Sequence, residues 1–152
     1  MLNHILIPLD GSKLAEHALR PVSHFLKPGG QITLLSVVSG DTGDLPRVGD
    51  VALDRYLEQI AARLRLEGFS AQVEIAAGDP ADQIVGRAHK LGVELIVMGT
   101  HGRSGLEKLL YGSVTSKVLA ITACPVLVIP NRVRQETPEA ASAADTHLGW
   151  AG

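Results

Sequence analysis

Ile32-Thr33-Leu34-Leu35-Ser36-Val37-Val38 is the stretch on which the fold turns. Its apolar residues run on without the strict alternation of a strand that faces water on one side. Such continuity predicts a strand covered on both faces, as in a parallel sheet between two layers of helices. Upstream, Ile5-Leu6-Ile7-Pro8-Leu9 is a run of the same kind, and Asp10-Gly11-Ser12 closes it with turn chemistry. Between the two runs, Ala15, Ala18, Leu19, Val22, Phe25 and Leu26 fall at helical spacing. Ser12 is the expected N-cap of that helix. Pro28-Gly29-Gly30 is its expected stop.

Downstream the same alternation of elements continues. Ser39 to Asp50, with its glycines and aspartates, reads as a mobile surface loop. Leu53, Leu57, Ile60, Ala61 and Leu64 predict a second helix that Gly68 ends. Ala71 to Ala76 alternates and predicts a half-exposed strand at a sheet edge. Asp79-Pro80 reads as an N-cap followed by proline at the first helical position. Ile84, Val85, Ala88 and Leu91 form that helix's apolar face, and Gly92 ends it. Leu95 to Met98 is a fourth strand, Ser113 to Ile121 a fourth helix, and Val126 to Ile129 a fifth strand. The order βαβαβαβαβ predicts a single-domain α/β fold, an open parallel sheet with helices on both faces.

Composition agrees and excludes other classes. The chain has 152 residues, 45% hydrophobic and 20% charged, which fits one globular domain with its own core. Aromatics are only 3%, so the core is aliphatic, and stacking platforms for single-stranded nucleic acid are not expected. Lys plus Arg is 14 against 16 Asp plus Glu, a formal charge of -2 that offers no footprint for DNA or RNA. Cys124 is the one cysteine, which excludes an internal disulfide and fits a reducing compartment. No apolar run approaches the roughly 20 residues that span a bilayer. Met1 to Asp10 lacks a basic lead and reads as a strand, not a signal peptide. A cytoplasmic location without membrane attachment is therefore expected. Residues 1–130 are expected to form the domain. Residues 131–152, poor in large apolar residues after Val133 except Leu148 and Trp150, read as a disordered tail.

The chemistry lies in Met98-Gly99-Thr100-His101-Gly102-Arg103-Ser104-Gly105 and in Tyr111-Gly112-Ser113-Val114-Thr115. This segment leaves the carboxyl end of a strand and enters a helix, where open α/β sheets place their ligands. Gly99 and Gly102 allow close backbone approach. Gly112-Ser113 at a helix start offers N–H groups, a hydroxyl and the positive end of the helix dipole, all suited to a phosphate. Arg103 and Lys108 add charge to the same loop. The plainer alternative is that these glycines only make turns and Ser113 only caps a helix. The segment is not a Walker A loop, because the Gly-Lys-Ser/Thr ending is missing. His101 in the loop reads as solvated, and the scattered His4, His17, His24, His89 and His147 read as surface or helix-edge residues without metal spacing. Cys124 reads as a buried structural thiol and not a nucleophile. Asp10, at a strand's carboxyl end, is the carboxylate to single out.

Gly99, Gly102, Gly112 and Ser113 meet in full the pattern Gly, two residues, Gly, nine residues, Gly and Ser or Thr. On this pattern the chain resembles the universal stress protein family of ATP-binding type. Ile5 to Ser12 looks like that family's first strand and turn, and Cys124-Pro125-Val126-Leu127-Val128-Ile129 looks like its last strand. The resemblance spans about residues 2 to 130. It implies an adenine nucleotide α hydrolase-like fold with strand order 3-2-1-4-5 and ATP as ligand, with Mg2+ a candidate companion. It assigns nucleotide contact to Pro8, Leu9 and Asp10, places Val37 beside the adenine, and gives Met98, Gly99, Gly102, Arg103, Gly112, Ser113, Val114 and Thr115 the rest of the molecule. Leu9 departs from the small or polar residue many members carry there, so backbone contact alone is expected of it.

The expected function is that of a cytoplasmic ATP-binding regulatory protein of the stress response, not an enzyme. The alternative is a slow Mg-dependent ATPase or nucleotidyl transferase on the same fold, using Asp10. An unidentified regulatory protein is an expected partner. A homodimer is expected through Val126-Leu127-Val128-Ile129, apolar at each position and at a sheet edge in the implied order. Pro125 and Pro130 bracket that run and shorten the pairing. The rival is a monomer whose tail covers the edge through Leu148 or Trp150.

Overall fold

The structure, a computed structural model, describes residues 1–11, 18–38, 51–102 and 112–132, the side chains of 100–102 and 131–132 excepted. Ser12, the loop from Ser39 to Asp50, Arg103, Lys108 and the tail after Arg132, all singled out above, lie outside the described residues. The elements run β1 (Leu2–Pro8), α1 (Val22–Phe25), β2 (Leu26–Val38), α2 (Val51–Leu66), β3 (Ser70–Ala77), α3 (Pro80–Leu91), β4 (Leu95–Gly102), α4 (Ser113–Ile121) and β5 (Val126–Arg132). The five strands form one sheet in the order β3-β2-β1-β4-β5, and every pairing is parallel.

Strand alternation divides the core in two. Ile5, Ile7, Ile32, Leu34 and Val97 point to one face, where Val22 of α1 and Leu53, Leu57, Ile60, Ala61 and Leu64 of α2 cover them. Leu6, Leu35, Ala76, Ile96 and Met98 point to the other, under Ala81, Ile84 and Ala88 of α3 and Val118 of α4. Neighbouring residues of one strand are thus buried on opposite sides, which is why the runs read as continuously apolar. The α2 residues expected from periodicity are the ones it buries. Asp79 caps α3 by accepting the Asp82 N–H at 3.0 Å, and Gly92 ends that helix in the left-handed conformation.

Four expectations need correction. The start of the expected first helix at Ala15 lies outside the described residues, and from residue 18 to Leu26 the chain is not one helix. Among the described residues α1 starts at Val22 with Pro21 as its N-cap, because Pro21 has no N–H to give and would clash with a preceding turn, and Leu26 already belongs to β2. Ala18, Val22 and Leu26 are nevertheless buried as the spacing requires. Second, Pro28-Gly29-Gly30 does not stop a helix but lies within β2. Between the pairs Leu2–Leu26 and His4–Gln31, two steps along β1 match five along β2, and the extra residues bulge there. Gly30 fits because a Cβ on it would sit 2.5 Å from Leu26 Cγ. Third, β4 and β5 run past Met98 and Ile129. Gly99 to Gly102 pair with Ile129 to Arg132, so Pro130 sits inside the strand, tolerated at a sheet edge. Fourth, His4 is a strand residue whose Nε2 lies 2.8 Å from Thr33 Oγ1, and burial lowers its pKa more than Glu94 and Glu74 raise it.

The outer edge of β3 carries its own cover. Arg65 at the end of α2 donates from Nε and Nη2 to the Ala71 carbonyl at 3.0 and 2.7 Å, while its Nη1 reaches Glu58 at 3.2 Å.

Leu57 has no exposed surface, whereas Leu66 on the same helix is 89% exposed. Leu57→Ala is expected to cost about 2–5 kcal/mol in urea unfolding. Leu66→Ala should stay within about 0.5 kcal/mol of the parent.

Candidate functional site

Strand order reverses between β1 and β4. Only Ile5–Leu95 and Leu6–Ile96 pair across that seam. A crevice at the carboxyl ends of the strands is the expected ligand position in such a sheet. A cavity of about 310 Å3 lies there, at the small end of ligand pockets.

Its floor comes from strand ends: Pro8, Leu9 and Asp10 from β1 and the turn after it, Leu35 and Val37 from β2, Met98 and Gly99 from β4. Its walls are two helix starts, Pro80 and Ile84 of α3 and Gly112 to Thr115 of α4. All the residues expected to meet a ligand therefore gather here, except two. Gly102 lies further along β4, paired with Arg132 and outside the lining. Arg103 is outside the described residues. Leu35, Pro80 and Ile84 were missed. Leu35 looked like plain core, and Pro80 and Ile84 like plain helix. The strand-end position of Leu35 and the N-terminal position of Pro80 were the available signals.

The lining is chemically divided. Pro8, Leu35, Val37, Ile84 and Met98 make one apolar region. Leu9 belongs to the lining, but its side chain is packed in the opposite core, as its apolar character required. Asp10 is exposed, and Gly11 beyond it has a φ of 85°, a turn that glycine takes without strain.

Val37 contributes backbone. The Leu35 carbonyl accepts from Leu9 N–H at 2.8 Å, and the Val38 carbonyl accepts from Gly78 N–H at 3.0 Å. Peptide groups alternate along a strand, so Leu35 and Val37 address the β1 side, and Ser36 and Val38 the β3 side. The β1–β2 ladder ends at Pro8–Leu35. Val37 thus turns its N–H and C=O toward the cleft beyond the end of β1.

The two helix starts differ. α3 is capped by Asp79, but α4 begins at Gly112, which has no side chain to cap it, and no cap is found among the described residues. The first intrahelical bond of α4 runs from Ser116 N–H to the Gly112 carbonyl at 3.0 Å. The N–H groups of Ser113, Val114 and Thr115 have no partner within the helix, and they carry the positive end of its dipole. At Gly112 a Cβ would meet nothing within 4 Å and φ is −54°, so the fold does not demand glycine there.

Beside the α3 and α4 starts, Lys117 Nζ lies 2.8 Å from Asp79 Oδ2 and 3.4 Å from Asp82 Oδ1. The Lys117 hydrogen bond holds the Asp79 carboxyl below its ordinary pKa, aided by the Asp82 N–H. Lys117 is raised in return, chiefly by that same bond. Among the described residues no group of three His, Cys, Asp or Glu is placed to hold a metal ion. Nor is any described helix long and apolar enough to cross a membrane. Cys124 is half-buried, its Sγ 3.5 Å from the Val93 carbonyl.

Residues 1–130 match the universal stress protein family. Universal stress protein YxiE of Bacillus subtilis is 31% identical over 148 residues, covering 85% of this chain and 99% of the relative. Protein MJ0577, a universal stress protein of Methanocaldococcus jannaschii, has a solved structure that superposes with a TM-score of 0.68 at 30% identity, covering 88% of this chain and 99% of that one. A universal stress protein family protein of Arabidopsis thaliana, solved with AMP bound, superposes with a TM-score of 0.65 at 18% identity, covering 91% and 99%.

Burial raises the Cys124 pKa more than its backbone hydrogen bond lowers it. Iodoacetamide should therefore label the folded chain at pH 7.5 more slowly than the urea-unfolded chain, with a rate that climbs as pH rises.

Proposed function

The chain belongs to the universal stress protein family, and on that premise we propose that its cleft binds an adenine nucleotide, ATP foremost, as a regulatory protein of the stress response. The observation that carries this reading is the uncapped start of α4 opening on a cavity whose remaining wall is apolar. An anion satisfies free N–H groups at a helix start and is favoured by the dipole. An apolar slot beside it takes a planar base. The Val37 peptide offers one donor and one acceptor in line, which match adenine N1 and its 6-amino group. Guanine presents the opposite polarity at those positions.

The residues fit the ligand in a second way. The space beside Gly112 is open without being required by the fold. Ser113, Val114 and Thr115 would hold phosphate through their N–H groups, Leu35, Val37, Ile84 and Met98 the base. Asp10 stands at the rim as the candidate partner of ribose or of Mg2+. The AMP held by the Arabidopsis relative supports the nucleotide class. We read the protein as one that binds and does not turn over its ligand; among the described lining residues none is a histidine or lysine that could serve as a base beside Asp10.

Gly112→Asp tests this directly. Aspartate is a favoured N-cap, so α4 should be as stable as before or more so. Its charge would stand where phosphate is proposed. Calorimetric titration with ATP and Mg2+ should show binding to the parent at least about tenfold tighter than GTP. Gly112→Asp should lose at least about tenfold in ATP affinity, with its melting temperature kept. Equal ATP affinity in the two proteins would overturn the phosphate assignment.

A homodimer through β5 accompanies this proposal. Val126 to Ile129 stay only half-buried in the single chain, and β5 is a sheet edge. Sedimentation should give a dimer for the full chain, and a monomer when Val128 is replaced by Lys.

A further inference from the structure

The cavity's two helical walls meet at a cluster of three charges. Asp79 immediately precedes Pro80, which lines the cavity, and Lys117 lies one turn beyond Ser113, which lines it from the other side. Residues four apart share one face of a helix, so Lys117 projects from the same side of α4 as Ser113. Deeper in, α3 and α4 are joined by apolar packing through Ile84, Ala88, Val114 and Val118. Toward the mouth the tie is electrostatic. Asp79 Oδ2 accepts both from Asp82 N–H at 3.0 Å and from Lys117 Nζ at 2.8 Å, so a single oxygen caps α3 and grips α4.

We propose that Lys117, bridging Asp79 and Asp82, is a latch that fixes the spacing of the α3 and α4 starts and so sets how tightly the cleft holds its ligand. This rests on the adenine nucleotide reading of the cleft. Lys117 is a positioning residue here, since its ammonium is engaged by carboxylates. The three side chains are about half exposed. Pairs of that kind are worth little in overall stability. Their effect belongs to the local geometry between the two helix starts.

A purely electrostatic role predicts something different. Two carboxylates beside an anion site repel it. If charge alone mattered, Lys117→Met would weaken ATP binding and Asp79→Asn would strengthen it. The latch predicts that both weaken it, because Lys117→Met removes the bridge and Asp79→Asn strips its stronger ion pair of charge. Asparagine keeps the oxygen that caps α3 but carries no charge, so Asp79→Asn weakens the grip on Lys117 while leaving the cap.

The experiment uses the full chain and two readouts. ATP titration should give affinities about two- to fivefold weaker for Lys117→Met and for Asp79→Asn, with Lys117→Arg near the parent. Hydrogen exchange without nucleotide should be faster in both weakened variants for peptides covering Ser113 to Val118, and unchanged in α2. Tighter or equal ATP binding by Asp79→Asn, or parental exchange in both variants, would overturn the latch. Failure of the parent to bind ATP would instead strike the nucleotide reading, leaving exchange at the α4 start to decide the latch.

Discussion

Everything at the functional end of this protein depends on the narrow seam between β1 and β4. Two residue pairs join the halves of the sheet there, against six in the neighbouring β1–β2 ladder. The chain builds outward from β1 to β3, then returns across the molecule to lay β4 on the other side of β1. A reversal leaves no crossover helix directly above the seam. The crevice is thus a consequence of connectivity, and side chains decide only what it can hold.

What it can hold follows from division of labour between the faces. The α1–α2 face is closed with aliphatic packing, and neither α1 nor α2 contributes a lining residue. The α3–α4 face supplies both walls, one capped and one not. Leu9 illustrates the rule: its side chain stabilises the closed face while its position still borders the cleft. A small or polar residue there would leave the α1–α2 core short of packing, a cost set by the large buried volume it would vacate.

Period and continuity were enough to read the sheet, because parallel strands buried on both faces leave a plain mark in sequence. Leu53 to Leu64 and Ile32 to Val38 are cases where burial alone dictates composition. Boundaries failed wherever partners outweighed local preference. Gly99 to Gly102 look like loop but have β5 beside them to pair with. Pro21 was a local signal overlooked inside a convincing period. For the site, Gly112-Ser113 and Asp10 were legible through strand-end and helix-start chemistry. Pro80 and Ile84 were not, because an apolar wall residue carries the same signature as a core residue. Val37 enters the site only through resemblance, and the turn of its backbone toward the cleft is not legible at all, since strand overhang is a property of register and not of composition. The Lys117 bridge joins positions 38 residues apart, and no local pattern announces it.

The two sheet edges are not equivalent. At β3 the Arg65 guanidinium occupies the Ala71 carbonyl, with Glu58 steadying it. A newcomer strand would have to displace a charge-assisted bond before gaining its first rung. Nothing comparable covers β5 among the described residues. In the language of polymerisation, the proposed β5 pairing would make the molecule monovalent, with one reactive end and one end that Arg65 obstructs. Strand pairing of the proposed kind would then terminate at two copies, whereas a sheet with two live ends would propagate as a fibre.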